Sequence, residues 1–330
     1  MNPVQQTLLS LLPGKQRKTP SGWISFNAPC CVHNGESTDT RSRGGVIVNT
    51  NNISYHCFNC NYKTGWQPGW HLSYKFRKLL SWLGADDNEI KRLVLEAIRV
   101  KDETEQIGFE TEQFDPDFET IDLPDSVSLV LDSHASGYDY PADMVDCNNY
   151  LYQRKLPPHK FYWTPETTNR FNRRVLLPFV YNGQSVGYTA RIIDPDTKPK
   201  YYTRSQPGFV YNIDAQSPDR KFVLVTEGPF DALCVDGVAT LGNEISEQQV
   251  DMIDKLGKEV VLVPDRDGSG KRMIEQAVDF GWSVSFPEWH DTCKDVNEAV
   301  IKYGKLFVFC SIISSIEANK VKIKVKANKL

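Results

Sequence analysis

The chain has 330 residues, 38 Lys+Arg against 42 Asp+Glu for a formal net charge of −4, and 40% hydrophobic side chains, a balance that fits two or three modest folded domains. Its longest nearly apolar run, Leu306 to Ile316, is about half of the roughly 20 residues a spanning helix needs and is interrupted by Ser311, Ser314 and Ser315, so no membrane span is expected. The apolar stretch Leu8–Leu12 is too short for a signal peptide and has no basic region ahead of it, which places the chain inside a cell.

The small net charge conceals blocks of opposite sign. Residues 1–75 carry seven basic and two acidic side chains, and residues 151–205 carry ten and three, while residues 102–146 carry fourteen acidic groups and no basic one. Two basic blocks are the electrostatic footprint of a phosphate-backbone binder, and the acidic stretch reads as a solvated, self-repelling linker.

Within residues 1–75, four of the eight cysteines fall close together, beside His33 and His56. Cys30-x-x-His33 and Cys57-x-x-Cys60 supply two ligand pairs on tight turns, the spacing of a structural tetrahedral zinc site. Cys31 and His56 are the rivals for a ligand position, and each disrupts the two-residue spacer. Val46–Val48 and Ile53–Tyr55 flank Asn49–Asn52 as a β-hairpin between the ligand turns, which makes the module a zinc ribbon. Arg41, Arg43 and Lys63 interleave with Trp23, Tyr62, Trp66 and Trp70, a mixture suited to single-stranded nucleic acid, although some of these rings must also form the ribbon's own core.

Apolar residues at three- and four-residue steps predict two helices broken near Gly84, a connector over residues 76–100. The acidic linker follows over 101–146. From Cys147, residues 147–212 form a basic subdomain in which Val175–Val180 and Ser185–Ile193 make a hairpin across Asn182-Gly183. Lys198, Lys200 and Arg204 with Tyr201 and Tyr202 extend its basic character.

Residues 213–305 alternate strand and helix: strands at 222–225, 238–241, 260–263 and 283–286, and helices at 230–235, 247–256, 271–280 and 295–303. That alternation predicts a parallel sheet wrapped by helices, whose site lies off the carboxyl ends of the strands. Glu227, Asp265 and Asp267 all fall there. Asp265 and Asp267 are two apart on an extended segment, so both carboxylates face one side and present hard oxygen donors for magnesium or manganese. Glu227 serves as a further ligand or as a proton acceptor. Residues 306–330 read as a C-terminal tail, with Val321–Lys326 an edge strand or a frayed basic end. The expected fold is therefore an α+β multidomain chain: zinc ribbon, acidic linker, and a mixed α/β domain containing a parallel sheet.

These motifs together resemble replicative DNA primases: the ribbon cysteines, Arg173-Arg174-Val175-Leu176-Leu177-Pro178, Glu227-Gly228-Pro229-Phe230-Asp231 and Asp265-Arg266-Asp267-Gly268. Over residues 25 to 305 the chain looks most like the short primases of T-even-type bacteriophages. The resemblance implies a Toprim catalytic domain and synthesis of short RNA primers on single-stranded DNA from ribonucleoside triphosphates. It implies Glu227, Asp265 and Asp267 as catalytic residues and magnesium ligands. Asp231 and Asp295 are implied as further acidic positions at that metal, and Arg173, Arg174, Arg191 and Lys200 as a template or nucleotide groove. It also implies that the ribbon recognises the start site, and that the chain acts in the cytoplasm of a phage-infected bacterium. No Gly-x-x-x-x-Gly-Lys-Ser/Thr element occurs in the chain, so a separate hexameric helicase is the expected partner, with a single-stranded DNA-binding protein as another. Two alternatives share these parts: a Toprim nuclease or topoisomerase, and a non-catalytic recombination mediator.

Overall fold

A computed structural model describes residues 2–49, 52–68, 72–105, 116–129, 140–165, 170–289 and 292–328. Two compact units divide it, the first Met1–Asp115 with Val250–Gly257 and the second Pro116–Gln249 with Lys258–Leu330. Trp70 and Asn169 lie outside the described residues.

The first unit opens with helix α1 (Pro3–Leu11), started by a reciprocal capping box between Asn2 and Gln5. Strands β1 (Arg17–Lys18), β2 (Ile24–Phe26), β3 (Gly44–Val48), β4 (Ile53–Cys57) and β5 (Lys63–Trp66) form one antiparallel sheet in chain order. The expected hairpin is β3–β4. Helices α2 (Tyr74–Trp82) and α3 (Asp87–Glu105) follow, separated at Gly84, whose φ of +109° suits glycine. Alternation along β4 sends Ile53, Tyr55 and Cys57 inward. They pack with Phe26, Val46, Trp66, Phe76, Leu79, Leu80 and Leu93. Tyr62 and Trp66 are therefore buried core residues, and neither ring is available for base stacking.

The second unit begins inside the acidic stretch. Phe118 packs edge-on against Tyr181 and Phe209, with centroids 5.1 and 5.5 Å away, and the Ile121 amide donates to the Ser185 carbonyl at 2.7 Å. Residues 116–129 are thus laid along a sheet instead of forming a solvated linker. The cause is local: Phe118, Ile121, Leu123 and Leu129 supply apolar anchors that the average charge of the stretch conceals.

That sheet is antiparallel, in the order β10-β9-β8-β7-β6, from β6 (Val127–Ser128), β7 (Tyr162–Trp163), β8 (Arg174–Tyr181), β9 (Gln184–Ile192) and β10 (Tyr201–Arg204). Helix α4 (Ala142–Gln153) precedes β7. Asn182 and Gly183 both have positive φ, +48° and +76°, as the two-residue turn between β8 and β9 requires.

A second sheet has the order β12-β11-β13-β14-β15. It is built from β11 (Phe222–Thr226), β12 (Val238–Ala239), β13 (Glu259–Leu262), β14 (Ser283–Ser285) and β15 (Ile316–Glu317). The first four strands pair in parallel and β15 closes the edge antiparallel. Helices α5 (Pro229–Val235), α6 (Glu247–Asp254), α7 (Gly268–Phe280) and α8 (Val296–Tyr303) occupy the expected connections. Val223–Val225 and Val260–Val263 are buried, as a strand covered on both faces demands.

Beyond Tyr303 the structure departs from a tail. Helix α9 (Lys305–Ser314) leads into β15, and Val321–Lys326 belongs to helix α10 (Lys320–Ala327), neither an edge strand nor a frayed end. β15 already fills the sheet edge. The Asn319 side chain accepts from the Val321 and Lys322 amides at 3.0 and 3.1 Å, which starts the helix, and Ile323 is fully buried.

Candidate active site and metal centre

In the ribbon, four thiols converge. The Sγ atoms of Cys30, Cys31, Cys57 and Cys60 all lie within 4.8 Å of one another, with Cys30 to Cys60 at 3.4 Å and Cys31 to Cys57 at 3.5 Å. A tetrahedron of zinc–thiolate bonds places its sulfurs roughly 3.8 Å apart, so this soft donor set fits one zinc ion with no position left open. Burial pushes the Cys30 thiol up and raises Cys31 to about 11. Burial would also raise Cys57, but the Cys60 and Asn59 amides donate to its sulfur and bring it below the usual thiol range. A bound cation would hold all four as thiolates.

His33 is not a member of this set. Its ring is stacked on Trp82 at 4.7 Å and 4°, and Cys31 occupies the fourth position. A 3₁₀ turn beginning at Cys31 directs two successive thiols inward, which a two-residue spacer rule does not anticipate. His56 also stays outside, with its Nε2 3.1 Å from the Asn61 side-chain oxygen.

The outer face of the ribbon sheet has a distinct character. Register aligns Arg17, Ser25, Gly45, His56 and Lys63 in one row, facing away from the core row Ile24, Val46 and Tyr55. A Cβ at Gly45 would stand 3.1 Å from the Trp23 ring, so Trp23 lies over that glycine. Phe58, 66% exposed, sits 4.2 Å from the His56 ring. Arg41 and Lys63 are exposed, whereas Arg43 is tied to Asp39 and to the Asn59 side chain. Phe58 escaped sequence analysis because its place between two ligands reads as turn.

In the second unit, the carboxyl ends of β11 and β13 carry the acidic residues. Glu227 follows β11, and its carbonyl accepts from the Leu241 amide at 3.0 Å. Gly228 is the N-cap of α5 and approaches Asp231 so closely that a Cβ there would lie 2.8 Å from its Oδ2. Asp265 and Asp267 lie on the turn between β13 and α7. Arg266 between them points elsewhere, donating to the carbonyls of Trp289, at 2.9 Å, and Pro287. Asp267 accepts from the Gly270 amide at 3.2 Å, and Asp295 caps α8 through the Glu298 amide at 2.7 Å.

These carboxylates feel one another. Burial, then Glu227, Asp295, Asp267 and Glu298, raise Asp265 to about 7. Burial, then Asp295 and Asp265, hold Asp231 well above the carboxylate range, although the Asn297 amide donates to it at 2.8 Å. Asp295 is raised by burial, with Arg154 and Arg191 partly offsetting its neighbours. The oxygens are not drawn together to ligand distance: among the described residues, the thiols are the only donor group of three or more within 4.8 Å of one another. Excess negative charge on hard oxygen donors is the chemistry that a divalent cation offsets, so the set suits magnesium or manganese.

The turn depends on Gly270. A Cβ there would stand 1.9 Å from the Asp265 carbonyl oxygen. Gly270→Ala is expected to cost about 3 kcal/mol and to displace Asp265, seen as a lowered thermal midpoint together with weakened magnesium binding by calorimetry.

The predicted basic groove divides. Arg173 is bound bidentate to Asp194, at 2.8–3.1 Å, and to Asp146 at 2.8 Å, and its charge is offset there. Arg174 is buried, with its guanidinium donating to the carbonyls of Ala190, Pro199 and Lys200, which makes it a brace of the sheet. Arg191 acts on Asp295, and Lys200 is exposed. Sequence analysis missed Arg154 and Asn297. Asn297 is buried, accepts from Arg154 Nη1 at 2.8 Å and donates to the Arg154 carbonyl at 2.9 Å. Its position two residues after Asp295 was the available signal.

Comparison with known proteins bears on the second unit. Residues 224–300 match the Toprim-like family model. The Toprim sheet is thus the parallel sheet that carries Glu227, Asp265 and Asp267 at its strand ends. The chain is 26% identical over 156 residues to a DNA primase of Clostridium acetobutylicum, covering 42% of this chain and 26% of that protein. It is 26% identical over 154 residues to a DNA primase of Aquifex aeolicus, covering 41% and 31%. The matched segment spans less than a third of the length of these relatives. Among solved structures, the E. coli primase catalytic core aligns over 53% of this chain and 74% of that one, with 18% identity and a TM-score of 0.43. The Aquifex aeolicus primase zinc-binding and RNA polymerase domains align over 94% and 83%, with 18% identity and a TM-score of 0.37.

Proposed function

We propose that the protein is a DNA primase that starts RNA chains on single-stranded DNA. The observation that carries this reading is the set of mutually repelling carboxylates at the ends of the Toprim strands, with Asp265 raised to about 7, facing two arginines. Arg154 and Arg191 meet the negative charge of a triphosphate, while Glu227, Asp265 and Asp267 are the residues that would hold divalent cations. Bound there, such ions supply Lewis-acid stabilisation of the phosphoryl oxygens. Asn297 and Asp231 keep α5 and α8 in register beneath the rim.

The ribbon's outer face supports the template role. Trp23, His56 and Phe58 offer rings to unpaired bases, and Arg17 and Lys63 stand at the two ends of the row for the phosphates. The narrower assignment to short phage primases, with its setting in an infected cell, and the separate helicase and single-stranded DNA-binding partners belong to this proposal. They rest on the motif resemblance. Deletion of residues 306–330 would remove β15 from the sheet, so the helicase contact is better tested by co-sedimentation of the full chain with a hexameric helicase.

The test is direct. Incubation with single-stranded template, ribonucleotides and magnesium is expected to yield short triphosphate-ended RNA. Template cleavage in place of synthesis would favour the nuclease reading, and binding without either product the mediator.

A further inference from the structure

Two arginines in the second unit are held in opposite ways. Arg173 is gripped by two carboxylates, which cancel its charge. Arg191 is gripped by two phenols: its Nε donates to the Tyr150 hydroxyl at 2.7 Å and its Nη1 to the Tyr201 hydroxyl. A neutral phenol accepts a hydrogen bond without discharging the guanidinium. A tyrosine phenol ionises only at about pH 10, so it is uncharged at neutral pH. Tyr150 serves a second cation as well, because the Arg154 guanidinium lies 5.3 Å from its ring centroid.

From this geometry we infer that Tyr150 and Tyr201 are positioning residues, which hold Arg191 beside the carboxylate rim without a direct ion pair among the described residues, so that it can take a polyphosphate. The nucleotide as the source of that polyphosphate rests on the primase reading. A lone arginine on a flexible stem would lose rotamer freedom whenever an anion bound. Here two accepted bonds fix the fork beforehand, and the Phe230 ring, 5.8 Å from the guanidinium carbon, borders the same site. Nη2 has no hydrogen-bond partner among the described residues, so both its N–H groups, with the second one on Nη1, are left for the ligand.

The experiment is a double-mutant cycle in the full chain, read by calorimetric binding of magnesium tripolyphosphate. Tyr150→Phe keeps the ring under Arg154 and removes one bond to Arg191. It is expected to weaken binding about tenfold, with Tyr201→Phe changing it in the same direction. In an Arg191→Lys background, which has no fork to orient, Tyr150→Phe should change binding by less than about twofold. In primer synthesis the same variant should raise KM for ribonucleotides about tenfold while kcat stays within about twofold. Unchanged tripolyphosphate binding in both tyrosine variants overturns the inference, and so does an equal loss from Tyr150→Phe with and without Arg191. If the wild-type chain makes no RNA, the primase reading fails, yet the tripolyphosphate cycle still decides whether the tyrosines position Arg191.

Discussion

Asp265→Asn is expected to abolish primer synthesis and, at the same time, to stabilise the protein. The two effects have one origin. Asp265 is held at about 7 by burial and by Glu227, Asp295, Asp267 and Glu298, so its ionised form is disfavoured in the folded chain. In an unfolded chain the same carboxyl ionises at about 3.9. Its contribution to stability is therefore fully present below about pH 4 and is lost as the pH rises through about 7. At about pH 8, without added magnesium, asparagine removes that penalty. The expected gain is about 1–2 kcal/mol, taken well below the full shift because Asp265 keeps some contact with water. Below about pH 4 the gain should nearly vanish, because the carboxyl is then protonated in the native chain and largely in the unfolded one as well. Synthesis should fall by at least roughly a thousandfold, the scale of losing charge stabilisation at a phosphoryl centre. Thermal midpoints at both pH values, beside a primer assay, check all three statements. A variant that synthesises normally, or that is less stable than wild type at the higher pH, removes Asp265 from the rim.

The same opposition of stability and function explains which parts were legible in the sequence. The Toprim strands could be read because their apolar runs are unbroken: Val223–Val225 and Val260–Val263 are continuous and buried, and Gly228-Pro229 and Pro264-Asp265 punctuate the chain soon after them. The placement of Glu227, Asp265 and Asp267 just beyond the strand ends was legible for the same reason, since it follows from the strand boundaries. The basic residues were harder. Arg173, Arg174 and Arg191 look alike in sequence, and only the partners differ: carboxylates, backbone carbonyls and phenols. For Arg191 those partners lie at separations of 10 and 41 residues, beyond what a local pattern carries. Residues 116–129 failed in the opposite sense, because charge density is a property of the average and burial depends on a few apolar positions. Residues 320–327 alternate as a strand would, and helix formation there follows from an Asn cap and from a sheet edge already filled by β15.

The zinc site gives the largest effect expected in the first unit, and it separates the two possible ligand sets. Purified wild type should carry one zinc per chain, and Cys31→Ser should carry none, as should Cys57→Ser. His33→Ala should keep its metal. Structural zinc contributes about 10–16 kcal/mol in small finger peptides, and a set that has lost one thiolate leaves three thiols crowded together without the ion that holds them. Around this ribbon the core of Phe26, Tyr55, Trp66, Phe76 and Leu79 remains, so the loss should melt the ligand turns and the hairpin between them before the helices. Hydrogen exchange should accordingly quicken across residues 30–60 in Cys31→Ser, with α2 and α3 changing less. In His33→Ala the contact removed is the stack on Trp82, worth about 1 kcal/mol, and exchange should change near α2 alone. If the metal instead followed His33, with Cys31→Ser fully loaded, the adjacent-cysteine geometry would be wrong and the two-residue spacing right. The consequence reaches the template face, because Phe58 and His56 flank Cys57 and are held by the turn that the metal closes. Cys31→Ser should therefore weaken binding of single-stranded DNA while leaving tripolyphosphate binding in the second unit unchanged.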